Sequence, residues 1–252
     1  MTKIISIHSF RGGTGKSNTT ANLASLFAQE GLRVGVVDTD IASPGIHVLF
    51  GLAEEEMGYS LNDYLWGKCK IKQCAHDVSK KLGLDIKGQI YLIPASVKAG
   101  EIAKVLREGY DVNMLNDGFQ DLIEDLKLDI LAIDTHPGLN EETLLSIAIS
   151  DVLLLILRPD QQDYQGTSVT VEVARKLGVP KMYLVVNKLP LQFNVNEVKA
   201  KVEKTYQAEV AAVLPHSDEM MMLASAGIFS FKYPDHPITD LYRQIAHKLI
   251  NA

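Results

Sequence analysis

The chain has 252 residues, a length that suits one α/β domain, and its 46% hydrophobic and 22% charged residues are close to the usage of an average soluble protein. The net charge of −6 excludes a global basic field that would attract nucleic acid or an anionic membrane. Only two cysteines, Cys69 and Cys74, occur, which excludes a disulfide framework. The sequence shows neither a secretory signal nor an apolar run long enough to span a membrane, so we expect a cytoplasmic protein.

Short apolar runs alternate with segments of helical periodicity along the chain. The runs are rich in Val, Ile and Leu, which is typical of strands buried on both faces of a parallel sheet. The predicted strands are Ile4–His8, Arg33–Asp38, Ile90–Ile93, Ile130–Asp134, Val152–Leu157, Met182–Asn187 and Val210–Leu214. The predicted helices are Ser17–Glu30, Asn140–Ser150, Thr167–Leu177, Val195–Tyr206, Asp218–Ala226 and Ile238–Ile250. This alternation predicts an α/β fold with a doubly wound, mostly parallel sheet flanked by helices.

One stretch, residues 53–87, breaks the alternation because it is polar, mixed and only weakly periodic. We interpret it as a helical excursion on the same domain. The sequence contains no internal repeat, low-complexity tract or Pro/Ser-rich linker that would divide the chain. Residues 1–252 are therefore predicted to form a single domain.

The segment SFRGGTGKSNTT, residues 9–20, lies between a predicted strand and a predicted helix and is close to a phosphate-binding loop. Gly15, Lys16 and Ser17 match the end of G-x-x-x-x-G-K-[ST], whereas Phe10 replaces the first glycine. Glycines let backbone N–H groups converge on a phosphate, and the helix N-terminus adds further donors. Lys16 is expected to reach the β- and γ-phosphates, and the Ser17 hydroxyl is expected to bind Mg²⁺.

Two further strands end in carboxylates, at the edge where open α/β sheets bind ligands. Asp38 and Asp40 end one strand, and Asp134 ends another, followed by a loop that contains Gly138. Taken alone, a D-x-D motif after a strand is common and could cap a loop, but together with the phosphate loop it favours a functional role. The Asp134 carboxylate could hold Mg²⁺ through water, and the Gly138 N–H could meet the γ-phosphate. Together they would form a phosphate-sensing switch. We interpret His136, within that loop, as structural.

The segment YLVVNKLP ends another strand at Asn187, whose amide can both donate and accept a hydrogen bond, as the adenine edge requires. Guanine-specific proteins carry N-K-x-D, but Pro190 stands in the last position here. The sequence therefore favours ATP over GTP.

The motif R-G-G-T-G-K-S resembles the deviant phosphate loop of the ParA/MinD family of dimeric ATPases, which are P-loop NTPases of the SIMIBI class. The resemblance extends to the family's first switch, D-x-D at residues 38–40, and to its second switch, D-x-x-x-G at residues 134–138. It also extends to the base-contacting strand that ends at Asn187 and to the C-terminal helix. It implies that Asp38 supports the Mg²⁺ shell through water and that Asp40 orients the attacking water. The nucleotide-binding residues that it implies are Gly12, Gly13, Thr14, Gly15, Lys16, Ser17, Asn18, Gly138, Asn187 and Pro215. The implied magnesium ligands are Ser17, Asp38 and Asp134, and the implied catalytic residues are Lys16, Asp40 and Arg11.

The family carries a lysine where this chain has Arg11. In the family this first cation reaches across a dimer to the partner's nucleotide, so the resemblance implies that Arg11 is a finger supplied in trans. A guanidinium is a planar, always charged fork that suits phosphate oxygens. The alternative is that Arg11 is solvated or pairs with a nearby carboxylate of its own chain.

The resemblance implies an ATP- and Mg²⁺-dependent homodimer that hydrolyses ATP slowly to ADP and phosphate, with a protein partner that stimulates turnover. Such switches position a plasmid, a chromosome region, a protein complex or an organelle. DNA binding stays open, because Lys199, Lys201 and Lys204 share one helix but are interleaved with glutamates. No intrinsic membrane anchor is expected, since the C-terminal helix has the pattern of core packing. The alternatives are a metabolic ATP-dependent enzyme on the same scaffold and a nucleotide-binding regulator that has lost hydrolysis.

Overall fold

The computed structural model describes residues 2–82 and 86–252, and in these residues eight strands form one sheet in the order β3-β4-β2-β5-β1-β6-β7-β8. The strands are β1 (Lys3–His8), β2 (Arg33–Asp38), β3 (His76–Asp77), β4 (Gln89–Ile93), β5 (Ile130–Asp134), β6 (Val152–Leu157), β7 (Lys181–Leu189) and β8 (Glu209–Pro215). All neighbouring strands are parallel except β3 and β4, which are antiparallel. The prediction of a doubly wound, mostly parallel sheet is confirmed.

Helices cover both faces of the sheet. They are α1 (Lys16–Gln29), α2 (Ile46–Leu49), α3 (Leu61–Leu65), α4 (Ala99–Glu108), α5 (Asn113–Leu126), α6 (Glu141–Ala148), α7 (Gln161–Lys176), α8 (Val195–Tyr206), α9 (Asp218–Leu223), α10 (Phe229–Lys232) and α11 (Pro237–Ile250). The buried side chains of α1 and α11 join the core on one face, and those of α5, α7 and α8 join the cores on the other. None of the helices within the described residues is long and apolar enough to cross a membrane.

The central strands are buried on both faces because nearly all of their residues are apolar. In β6, the side chains of Val152, Leu154 and Ile156 enter the core beside α1 and α11. The intervening Leu153, Leu155 and Leu157 enter the core beside α7 and α8. This period-two alternation explains why the sequence shows continuous apolar runs instead of an amphipathic pattern.

The register of the sheet brings polar side chains together at one edge. Asp38, the last residue of β2, pairs directly with Asp134, the last residue of β5. The loop that follows β1 lies next to them, because β1 is the other neighbour of β5. The carboxyl ends of three adjacent strands therefore frame a single site at the C-terminal edge of the sheet.

Several element predictions need correction. The helix expected from Thr167 begins at Gln161, because the Asp160 carboxylate caps it by accepting hydrogen bonds from the backbone N–H groups of Gln162 and Asp163. Helices α4 and α5 were not predicted at all. The stretch 53–87 is a helical excursion only in part: it consists of α3, three short 3-10 turns and the antiparallel edge strand β3, and its residues 83–85 lie outside the described part of the chain.

Candidate functional site

The glycine loop between β1 and α1 has the backbone of a phosphate cradle. Gly13 (φ 75°) and Gly15 (φ 97°) adopt the left-handed region that favours glycine. Gly15 precedes α1 without any side-chain cap, so the first N–H groups of the helix stay available to an anion. A Cβ at Gly15 would lie 2.4 Å from Asn187 Nδ2, which shows how tightly the loop is packed. The loop thus presents backbone donors and leaves little room for any larger residue at position 15.

A cavity of about 340 Å³ opens above this loop. It brings together the predicted phosphate-binding residues of the glycine loop, the predicted magnesium ligand Ser17 and two residues from each switch, whereas Asp38, Asp134 and Gly138 are not part of its lining. Its lining consists of Ser9, Gly12, Gly13, Thr14, Gly15, Lys16, Ser17, Asn18, Asp40, Ser43, His136, Pro137 and Lys188.

Lys16 and Asp134 form a buried ion pair at the floor of the site. Lys16 Nζ lies 3.1 Å from Asp134 Oδ1, and the Thr20 hydroxyl donates to the same oxygen at 3.0 Å. The other oxygen, Asp134 Oδ2, is buried without a hydrogen-bond partner among the residues that the structure describes. A buried carboxylate oxygen without a partner is costly, so this atom is suited to a further ligand.

Asp38 is buried beside Asp134, and its environment disfavours a second negative charge. Burial, together with the charge of Asp134, raises the pKa of Asp38 to about 8, against an opposing effect of Lys16. The Asp38 carboxylate accepts a hydrogen bond from the backbone N–H of Asp40 at 3.0 Å. Burial also raises the pKa of Asp40, whose carboxylate faces the cavity. A cation at this site would offset the repulsion between these carboxylates.

The oxygen atoms at this site are suitable ligands for Mg²⁺ in a nucleotide complex. The Ser17 hydroxyl and the carboxylates of Asp38 and Asp134 are hard oxygen ligands, and Asp134 Oδ2 is free to accept. Within residues 2–82 and 86–252, no three His, Cys, Asp or Glu side chains are grouped closely enough to hold a metal by themselves. Mg²⁺ is usually bound by one or two carboxylates together with substrate phosphates.

The second switch loop contacts both the glycine loop and the first switch. His136 Nε2 lies 3.7 Å from Asp40 Oδ1, so one side chain from each switch meets the other at the lining of the cavity. The N–H of Gly138 donates to the backbone oxygen of Ser9 at 3.3 Å. The predicted contact of this N–H with a γ-phosphate therefore requires that bond to open first.

Arg11 is paired within its own chain. Its Nη1 atom lies 3.4 Å from Asp160 Oδ1 and 3.4 Å from Asp163 Oδ1. Asp160 is the N-cap residue of α7, and Asp163 lies in the first turn of that helix. This is the alternative that the sequence left open, pairing with a carboxylate of the same chain. A contact of Arg11 with a partner's nucleotide stays a prediction.

A second cavity, of about 320 Å³, adjoins the first at the ends of β7 and β8. Asn187 and Pro215 both line it, as expected for a base pocket. The amide of Asn187 is nevertheless used within the protein: Nδ2 donates to the Thr14 backbone oxygen at 2.7 Å, and Oδ1 accepts from the Lys188 N–H at 2.8 Å. In this structure the amide supports the phosphate loop, and the predicted base contact is untested.

Lys188 is a candidate residue that the sequence analysis missed. It lines both cavities, and its Nζ donates to the backbone oxygen of Gly13 at 2.9 Å. Its φ of 58° is unusual for a residue other than glycine, and such strain is often found at functional sites. The signal was present in the sequence, because Lys188 follows Asn187 directly at the end of a strand.

The cysteines and the basic helix add nothing to this site. Cys69 and Cys74 are free thiols whose sulfur atoms lie 3.5 Å apart, and burial raises the pKa of both thiols. Lys201, on α8, lies over the ring of Tyr164, with Nζ 6.0 Å from the ring centroid. Neither feature contacts the two cavities.

Comparison with known proteins finds a family profile and several relatives that match most of this chain. The sequence profile of the family described as AAA domain matches residues 2–178. An uncharacterized ATP-binding protein of Methanocaldococcus jannaschii is 30% identical over 249 residues, which cover 98% of this chain and 88% of the relative. The septum site-determining protein MinD of Bacillus subtilis is 25% identical over 258 residues, which cover 99% of this chain and 90% of that protein.

A solved structure has the same fold. The septum site-determining protein MinD of Pyrococcus horikoshii, complexed with Mg-ADP, superposes with a TM-score of 0.81 at 21% identity, covering 99% of this chain and 96% of that one. At this level of identity the likeness supports the fold alone.

Proposed function

The chain belongs to the ParA/MinD family of P-loop ATPases, and from that premise we propose that it is a switch that binds ATP with Mg²⁺, dimerises, and hydrolyses ATP slowly to ADP and phosphate. The output of such a switch is a change of conformation and assembly instead of a metabolite. Its relatives include a septum site-determining protein. By analogy, we propose that the chain positions or partitions a cargo.

The observation that carries this proposal is the set of charges under the glycine loop. Lys16, Asp38 and Asp134 are all buried there, and Asp134 Oδ2 has no partner among the described residues. Buried charges are expensive, and apolar residues of similar volume would usually serve stability as well or better. A triphosphate with Mg²⁺ would give these groups partners, which supports a nucleotide site over a purely structural role.

Each group in the cavity or buried beneath it has a distinct proposed task. The amides of the glycine loop and Lys16 bind the phosphates, while Ser17, Asp38 and Asp134 hold Mg²⁺ directly or through water. When bound, Mg²⁺ neutralises charge on the phosphate oxygens. Asp40 faces the cavity and is proposed to orient the attacking water.

Dimerisation would add a second cation and exclude water from the phosphates. Preorganised charges act more strongly in a site without water, because the local dielectric is low. Arg11 is the proposed finger, supplied to the nucleotide of the other subunit. A partner protein that stabilises the closed dimer would stimulate turnover.

Light scattering of the purified chain with ADP, ATP and a non-hydrolysable ATP analogue tests the proposal. We expect the mass to double with ATP and the analogue but not with ADP. Lys16→Ala should abolish nucleotide binding, and Lys176→Ala, which removes an exposed lysine, should change nothing. Arg11→Ala should still bind ATP but should dimerise or turn over poorly. A mass that is indifferent to the nucleotide would refute the switch.

A second candidate is a regulator that binds nucleotide without hydrolysing it. The pairing of Arg11 with Asp160 and Asp163 favours it, because the cation needed for catalysis is engaged elsewhere in this structure. Phosphate release measured with ATP and each candidate partner separates the two functions. ATP-dependent dimerisation with no phosphate release under any condition would support the regulator.

A further inference from the structure

Arg11 is held weakly at a defined place in its own chain. Its Nη1 atom contacts one oxygen of Asp160 and one of Asp163, both at 3.4 Å, which is long for a charge-assisted hydrogen bond. The Arg11 side chain is 38% exposed, so solvent also competes for it. The Arg11 guanidinium can therefore readily exchange these two carboxylates for another anion.

The two carboxylates are positioned without any help from Arg11. Asp160 Oδ1 accepts from the backbone N–H groups of Gln162 and Asp163, as the N-cap of α7. Asp163 Oδ2 accepts from the backbone N–H of Arg158 at 2.9 Å and from its Nε at 3.2 Å. The two carboxylates that bind the Arg11 guanidinium are therefore held in place by other groups.

Arg158 also lowers the free-energy cost of releasing Arg11 from the two carboxylates. Its Nη2 lies 3.2 Å from Asp160 Oδ2 and its Nε lies 3.2 Å from Asp163 Oδ2. Asp163 is only 2% exposed, and leaving it unpaired would be strongly unfavourable. Because Arg158 stays on both carboxylates, Arg11 can leave without creating a buried unpaired charge.

The residue before Arg11 fixes the loop against the same helix. The ring of Phe10 packs on Gly166 in α7, where a Cβ would lie 2.0 Å from Phe10 Cδ1. The loop therefore contacts α7 through both Phe10, which departs from the phosphate-loop motif, and Arg11, which replaces the family's lysine.

We propose that Asp160 and Asp163 are positioning residues that hold Arg11 in its own chain until ATP binds, and then release it to the phosphates of the partner subunit's nucleotide. The proposal rests on the proposed function, because it needs a dimer with Arg11 in trans. These ion pairs of Arg11 stabilise the monomer and not the dimer, so they must raise the ATP concentration at which the dimer forms.

Asp160→Asn tests this directly, since asparagine keeps the helix cap but removes the charge. We expect the ATP concentration for half-maximal dimerisation, measured by light scattering, to fall by about two- to fivefold, as for the loss of a partly exposed ion pair. Glu172→Gln makes the same change of charge at an exposed position on the same helix and should leave that concentration unchanged. An unchanged or higher ATP requirement in Asp160→Asn, or an equal fall in Glu172→Gln, would overturn the proposal.

Crystal structures of the wild-type chain without nucleotide and with a non-hydrolysable ATP analogue give a second test. Arg11 should contact Asp160 and Asp163 in the first and neither of them in the second. If Arg11 still contacts them in an analogue-bound dimer, the proposal fails while the switch function stands. If the chain stays monomeric with the analogue, the switch function fails, and the proposed transfer to a partner fails with it; the position of Arg11 then shows whether nucleotide alone releases the hold.

Discussion

The ring of Phe10 and the backbone of Gly166 lie in direct contact, although 155 residues separate them in the chain: a Cβ at residue 166 would lie 2.0 Å from Phe10 Cδ1 and 2.3 Å from Cγ. Phe10 stands where a phosphate loop usually has its first glycine. A large side chain is accommodated at that position because α7 has no side chain at residue 166. The shape of the glycine loop therefore depends on a helix that contributes no residue to the lining of the phosphate cavity.

Gly166→Ala should damage the nucleotide site even though alanine favours helix formation by about 1 kcal/mol. The added methyl displaces Phe10, and with it the loop. We expect the affinity for ADP, measured by isothermal titration, to fall by about tenfold or more, and the free energy of unfolding to fall by about 1–3 kcal/mol. Phe10→Gly combined with Gly166→Ala should regain part of the affinity.

Gly100→Ala is the matched control, because nothing lies within 4 Å of a Cβ at that helical position. Its ADP affinity should equal that of the wild type. If Gly166→Ala also binds ADP normally, the contact between Phe10 and Gly166 does not shape the loop.

Asn187→Asp separates two roles for the side chain at the end of β7. The substitution keeps an oxygen for the Lys188 N–H but removes the donor to the Thr14 backbone oxygen and places a carboxylate beside it. If the amide supports the loop, the affinities for ATP and GTP should fall together, by about five- to tenfold for the loss of a buried hydrogen bond. Competition binding measures both, and a change in their ratio would show instead that Asn187 recognises the base.

Lys16→Met should destabilise the nucleotide-free chain as well as abolish nucleotide binding. It leaves Asp134 buried without its cation and next to Asp38, a situation that costs about 3 kcal/mol. Urea unfolding at neutral pH measures the loss. Asp134→Asn in the same chain should restore most of the stability but not nucleotide binding, and Lys176→Met should be neutral. Wild-type stability in Lys16→Met would mean that the buried pair contributes little.

The sheet could be predicted from the sequence because its signal is local. Continuous Val, Ile and Leu runs identify the seven long strands, and parallel pairing puts their polar ends at one edge. Helix α5 was missed despite an equally local signal: its buried Leu115, Phe119, Leu122 and Leu126 follow helical spacing. The edge strand β3 has only two residues and carries no pattern of its own.

The phosphate loop and the paired aspartates also followed from the sequence, since motif and strand ends locate them. The partners of Arg11 and Asn187 did not, because they depend on contacts between residues far apart in the chain. Arg11 meets Asp160 across 149 positions, and Asn187 meets Thr14 across 173. The sequence left pairing of Arg11 with a carboxylate of its own chain as an alternative and assigned Asn187 to the base. The packing of α7 and β7 against the loop determines which groups the two side chains contact.

His8, at the end of β1, should make the fold sensitive to acid. Burial, with a smaller effect of the Lys16 charge, lowers the pKa of His8 to about 3. In the unfolded chain the imidazole binds a proton below about pH 6.5, whereas in the folded chain it stays neutral down to about pH 3. Its contribution to stability is therefore present above pH 6.5 and is lost as the pH falls towards 3. Between pH 6.5 and 4.5 the loss should reach about 2–3 kcal/mol.

Urea unfolding of the wild type and of His8→Asn over this pH range measures the effect. Asparagine can keep a hydrogen bond to the Thr135 hydroxyl, which His8 Nδ1 contacts at 2.7 Å, but it does not titrate. The raised pKa of Asp38 acts in the opposite direction, because it makes the folded chain more stable as the pH falls from 8, yet it is common to both proteins and cancels in the difference. The stability of the wild type should therefore fall relative to His8→Asn as the solution is acidified. Parallel curves would mean that the imidazole is not held neutral in the folded protein.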